Sequence, residues 1–127
     1  MYQIMEELTK KEEEVMQVIW KLKEVFVKDI IEYLDPSSSI PYNTISSIVR
    51  ILEKKGYVGY RAFGKTYQYY PLISKMQYRK LSFSRVLDHY FDDSVENLLS
   101  FMVKEKKLSA EDIQKIEQLI KKHENHE

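Results

Sequence analysis

Between Tyr42 and Lys54 the sequence YNTISSIVRILEK sets hydroxyl, amide and guanidinium groups on one side of a helix and branched aliphatics on the other. At about 100° per residue, Asn43, Ser46, Ser47, Arg50 and Lys54 share one arc, and Ile45, Ile48, Val49 and Leu52 share the opposite one. An α-helix fits the major groove of duplex DNA, where small hydroxyl and amide groups reach base edges or phosphates and Arg pairs with guanine. Asn43, Thr44, Ser46, Ser47 and Arg50, with Tyr42 before them, are expected to form the DNA-binding surface, and Lys54 and Lys55 supply ammonium groups that neutralise phosphates. The competing reading is an ordinary solvated helix face with no partner.

Local charge separates the two readings. The 127-residue chain has a formal net charge of zero, an average that hides its distribution. Residues 36–80 carry Arg50, Lys54, Lys55, Arg61, Lys65, Lys75, Arg79 and Lys80 against Glu53 alone, a local charge of +7, while the flanking thirds are acidic. Cationic groups concentrated around one polar helix face are the footprint of a polyphosphate partner.

A hairpin follows that helix. Gly56 suits the left-handed position after Lys54 and Lys55, and the aromatic runs YVGYRAF and TYQYYPL surround the turn pair Gly64-Lys65. Arg61 and Lys65 lie near the turn, suited to an adjacent phosphate or minor groove. Tyr57, Tyr60, Tyr67, Tyr69 and Tyr70 are expected to serve cross-strand packing and core rather than base stacking.

Earlier elements must position this unit. Thr9 with Glu12 three residues on reads as a capping box, followed by a buried stripe of Val15, Met16, Ile19, Trp20 and Leu22, with Glu12-Glu13-Glu14 as a solvated helix start. Val27 to Leu34 is predicted as a second helix with Ile30, Ile31 and Leu34 inward, broken by Asp35-Pro36 and three serines. The third helix begins near Pro41 to Asn43. Three helices and then a hairpin are the order of a winged helix-turn-helix, assigned to residues 1–73.

From Ser74 onward the pattern is helical only, so the fold class is mainly α. Met76 to Tyr90 carries Leu81, Val86, Leu87 and Tyr90. Ser94 to Val103 carries Val95, Leu98, Leu99 and Met102, and Ser109 to Lys122 carries Ile113, Ile116, Leu119 and Ile120, with Ser94 and Ser109 as N-caps. Three short amphipathic helices bury too little surface to offset their chain entropy, so residues 74–127 are expected to pair with a second copy of the chain.

The remaining groups point away from catalysis. There is no Cys, hence neither a disulfide framework nor a thiolate metal site. His89 has no nucleophile at a recognisable spacing, and His123 with His126 reads as a polar tail rather than a metal pair. No enzyme activity, cofactor or metal is expected. The N-terminal residues lack a basic region followed by an apolar run, and no segment approaches the roughly 20 apolar residues of a membrane span, so a cytoplasmic protein without membrane insertion is expected.

With these residues in place the chain resembles the penicillinase repressors of the BlaI/MecI type. The resemblance rests on LTKKEEEVMQVIWKL, YNTISSIVRILEKKGYV, GKTYQYYPLISK and SVENLLSFMVKEKKLSAEDIQKIEQLIKK, together spanning residues 8–122. It implies a homodimeric repressor on a dyad-symmetric double-stranded operator, with the C-terminal helices interlocked. It also implies relief by a membrane-bound sensor metalloprotease that responds to a cell-wall antibiotic and cuts within the dimerisation helices. The family's cut lies between Asn and Phe, where this chain has Ser100-Phe101. Arg is common in the family one position after Arg50, where this chain has Ile51. Two alternatives remain open at this stage: a winged-helix module that binds proteins and no DNA, and a repressor that senses a small ligand.

Overall fold

A computed structural model describes residues 5–105 and 107–124. Its elements are α1 (Lys10–Leu22), α2 (Val27–Leu34), α3 (Tyr42–Lys54), β1 (Val58–Phe63), β2 (Thr66–Pro71), α4 (Lys75–Phe91), α5 (Val95–Lys104) and α6 (Ala110–Glu124). The fold is that of a mainly helical winged helix-turn-helix with further helices after the wing. Two compact units are formed, Met1–Arg79 and Lys80–Glu127, and α4 begins in the first and continues into the second.

In the first unit the starts and stops follow local chemistry. The Thr9 hydroxyl accepts the Glu12 amide at 3.2 Å while the Glu12 carboxylate accepts the Thr9 amide at 3.1 Å, which occupies orphan donors at the start of α1. Asp29 does the same for the Phe26 amide at the start of α2. Beyond α2, Asp35 gathers the Ser37 and Ser39 hydroxyls and amides, and these bonds hold its carboxyl down to about 2. This local network takes the place of helix continuation across Pro36.

α1, α2 and α3 pack around Val15, Met16, Ile19, Ile30, Ile45, Val49 and Leu52, all buried. Each such aliphatic contributes about 1.5–3 kcal/mol when withdrawn from water. Tyr57 closes the core beneath α3, fully buried, with its hydroxyl donating to the Glu6 carbonyl at 2.6 Å. Trp20 Nε1 donates to the Ile73 carbonyl at 2.8 Å, and its ring lies 5.4 Å from that of Tyr78, so the start of α4 is tied to α1.

The strands β1 and β2 are antiparallel, with Tyr60 opposite Tyr69 and Ala62 opposite Tyr67. Gly64, at φ 60, opens the two-residue turn in a conformation an L side chain adopts only with strain. Val25 adds a bridge to the free edge of β2: its amide donates to the Tyr69 carbonyl at 2.9 Å, and the Tyr69 amide donates back at 2.7 Å. The segment between α1 and α2 is thereby built into the wing.

In the second unit Ser94 accepts the Asn97 amide, and Ser109 exchanges bonds with Asp112, as N-caps of α5 and α6. Phe91 and Phe101 meet edge to face with centroids 5.5 Å apart. Among the described residues of α5 and α6 none is buried, and in this unit only Leu87 is. Two positions expected inside, Leu22 and Leu34, are exposed at helix ends of the first unit, and Val86 and Tyr90 on α4 are exposed within the single chain. For Leu22 and Leu34 the helical period placed them on the inner arc, but the core stops one turn short of them. Glu12 errs in the opposite direction, being buried where a solvated acid was expected.

Candidate nucleic-acid interface

α3 is held from behind. Ile45, Val49 and Leu52 are buried against α1 and α2, which fixes the rotation of the helix and leaves the opposite arc outward. Asn43, Ser47, Arg50 and Lys54 occur at helical spacing along that arc and are all exposed; Thr44 is exposed beside them and Ser46 is half-buried. Tyr42, the first residue of α3, is also exposed. The small Ser46 and Ser47 side chains on and beside this arc let the backbone of α3 approach a groove closely.

The wing adds a second surface. On the sheet face that carries Tyr69, the rings of Tyr60 and Tyr67 lie 4.6 Å apart, and both are exposed. Burial pushes the Tyr69 phenol up, aided by the negative charge of Glu53 and opposed by Arg50, and β1 packs in contact with α3. The sequence pattern alone predicts packing roles for all five hairpin tyrosines. Tyr57 and Tyr69 are buried as expected, whereas Tyr60 and Tyr67 add exposed phenols next to the α3 face. Their alternation with Tyr69 across the strand register was the signal that they share its face.

Not every expected residue joins this surface. Lys65 sits exposed at the hairpin tip. Arg61 leaves β1 on the other sheet face, where it pairs with Glu24 at 3.2 Å and lies 4.8 Å over the Tyr70 ring. Lys55 turns back toward α1: its ammonium donates to Glu12 Oε1 at 2.6 Å and to the Glu7 carbonyl at 3.0 Å, with the two ion-paired side chains only 15% and 10% exposed. Burial works to raise the Glu12 carboxyl, but the bonds from Lys55 and from the Thr9 amide and hydroxyl outweigh it and hold it low. Lys55 thus anchors the end of α3 to the start of α1, while Lys54, one residue earlier, faces out.

The nine apolar residues expected to pair two chains lie on α4, α5 and α6. Leu87 is buried and Leu98, Met102 and Ile116 are half-buried; Val95, Leu99, Ile113, Leu119 and Ile120 remain exposed, Leu119 at 67%. Ser100 and Phe101 are both exposed on α5. Among the described residues no cluster of three or more His, Asp or Glu side chains is arranged to hold a metal ion, and His126 lies outside the described residues. No described helix is long and apolar enough to cross a membrane.

The elements define the class: a winged helix-turn-helix whose third helix carries an outward polar and cationic face. The chain belongs to the penicillinase repressor family, whose sequence profile matches residues 8–122. It is 26% identical over 112 residues to a penicillinase repressor of Bacillus licheniformis, covering 88% of each chain. It is 24% identical over 116 residues to the methicillin resistance regulatory protein MecI of Staphylococcus aureus, covering 91% of this chain and 94% of that one. The solution structure of the DNA binding domain of the repressor BlaI superposes with a TM-score of 0.51 at 28% identity, over 61% of this chain and 94% of that domain.

Proposed function

We propose that the protein is a homodimeric transcriptional repressor that binds a dyad-symmetric operator and performs no catalysis. Residues 1–73 read the DNA and residues 74–127 pair two chains. The observation that carries this reading is the outward row Asn43, Ser47, Arg50 and Lys54, opposite the buried stripe of α3 and beside the wing. In this reading Arg50, Asn43 and Ser47, with Thr44 and Ser46 at the margins, address base edges. Lys54 and Lys65 neutralise phosphates, and Tyr42, Tyr60 and Tyr67 donate hydroxyls to the backbone. Lys55 and Arg61, already paired within the fold, contribute mainly by holding α3 and the wing in place.

The exposed apolar residues of α5 and α6 support the pairing, since such faces lose free energy while they remain in water. Two linked domains convert the second DNA contact into an intramolecular one and raise affinity by about 10²- to 10⁴-fold when geometry allows. Cleavage between Ser100 and Phe101 by a membrane-bound sensor metalloprotease would end that gain without touching α3. The exposure of both residues supports this step. The site of action is the cytoplasm, where the operator lies.

The test is a gel-shift titration of the full chain on the DNA immediately upstream of its own coding region, beside a scrambled duplex of the same composition. The reading expects tight binding to the first at salt concentrations that abolish the second. Equal affinity for both would overturn operator recognition and favour a module that binds an acidic protein through the same face.

A further inference from the structure

A cleft of about 900 Å³ opens in the first unit, away from the outward face of α3. Its floor is apolar, formed by Val18, Trp20, Tyr33, Leu34 and Pro71 from the ends of α1, α2 and β2. Its rim is cationic: Lys21, Lys23 and Lys75 stand around it, and Glu14 is the single carboxylate among the lining residues. Such a volume matches that of a small-molecule site, which is usually concave, mostly apolar and furnished with a few charged groups.

Three features shape the cleft. Lys23 has φ 72 and ψ −50, and the Glu24 amide donates to the Leu22 carbonyl at 2.9 Å across it, a γ-turn that is strained for any residue but glycine. The 17-residue α4 begins at Lys75 beside the cleft, so the positive end of its dipole adds to the lysine charges. The Trp20 ring is fixed by its bond to the Ile73 carbonyl and its contact with Tyr78, presenting a rigid aromatic wall.

We propose that this cleft binds a small organic anion with a flat apolar body, the body lying on Trp20, Leu34 and Pro71 and the carboxylate or sulfonate meeting Lys23 and Lys75. The apolar floor without the lysines would accept neutral molecules equally, and the lysines without the floor would be an ordinary solvated patch. Their combination selects amphipathic anions. This inference stands apart from DNA binding, since none of the outward α3 residues lines the cleft.

Trp20 is the chain's only tryptophan, so its emission reports on the wall directly. The experiment titrates the full chain with 8-anilinonaphthalene-1-sulfonate and, in parallel, with uncharged N-phenyl-1-naphthylamine, reading energy transfer from Trp20. The proposal expects saturation at one sulfonate probe per chain and at least about tenfold weaker binding of the neutral analogue. A Lys23→Glu/Lys75→Glu variant should lose sulfonate affinity by a similar factor. A charge-matched Lys54→Glu/Lys65→Glu variant should retain it, as should Leu119→Ser on α6. If the first variant unfolds early in a thermal scan, Lys75→Gln alone serves, with a smaller loss of about threefold. Equal binding of the two probes, equal effects of the two charge reversals, or loss of binding in Leu119→Ser would overturn the proposal.

Discussion

Replacing Lys55 by Met separates a residue that holds the fold from one that touches DNA. The side chain retains its length but leaves the Glu12 carboxylate, 10% exposed, without its 2.6 Å partner, and the Glu7 carbonyl without its donor. Exposed ion pairs contribute about 0.2–1 kcal/mol, and breaking a fully buried pair costs about 3–5 kcal/mol. The burial seen here lies between those limits, so a loss near 2 kcal/mol is expected. For a unit of this size that lowers the thermal midpoint by roughly 8 to 16 °C. The pair also predicts a pH dependence with a definite sign. Because the folded Glu12 carboxyl is held below its ordinary value of 4.5, its contribution is complete above that value and disappears as pH falls through the folded one. Thermal scans of wild type and Lys55→Met from neutral pH downward should therefore converge in acid. In gel shifts under folded conditions, Lys55→Met should leave the slope of affinity against salt unchanged. An unaltered midpoint, or a slope smaller by about one as for a lost phosphate contact, would refute the anchoring role.

Other substitutions test the surfaces separately. Arg50→Ala should weaken operator binding by about 1–3 kcal/mol and spare binding to random duplex, measured by competition gel shift. Lys54→Ala should weaken binding to every sequence alike and reduce the salt slope by about one, read from titrations at several salt concentrations. Leu119→Glu should shift sedimentation velocity profiles toward the single chain, and operator affinity should fall by about 10²-fold or more as the intramolecular second contact is lost.

Features that depend on neighbours in the chain were legible in the sequence. The Thr9–Glu12 box, the Ser94 and Ser109 caps, the Gly64 turn and the two faces of α3 each follow from residue types a few positions apart. Helix ends agreed within one or two residues for the same reason, with α4 and α6 running slightly past the expected Tyr90 and Lys122. Pairings over long separations were not legible. Glu12 and Lys55 are 43 residues apart, and nothing in EEE distinguishes its first member until α3 returns beside it. The Val25 bridge to Tyr69 and the cleft at Trp20 arise from the same return of distant segments. Periodicity located an apolar set on α4 but not what covers it, and of that set Val86 and Tyr90 lie exposed in the single chain.

The central claim is that two copies of the outward α3 face read one operator. Hydroxyl-radical footprinting of the full chain on the DNA upstream of its coding region tests it most directly. The account predicts two protected patches related by a dyad, with centres about one helical turn or a multiple of it apart, and loss of both in Arg50→Ala. A single patch, or protection that follows no sequence and survives that substitution, would contradict it.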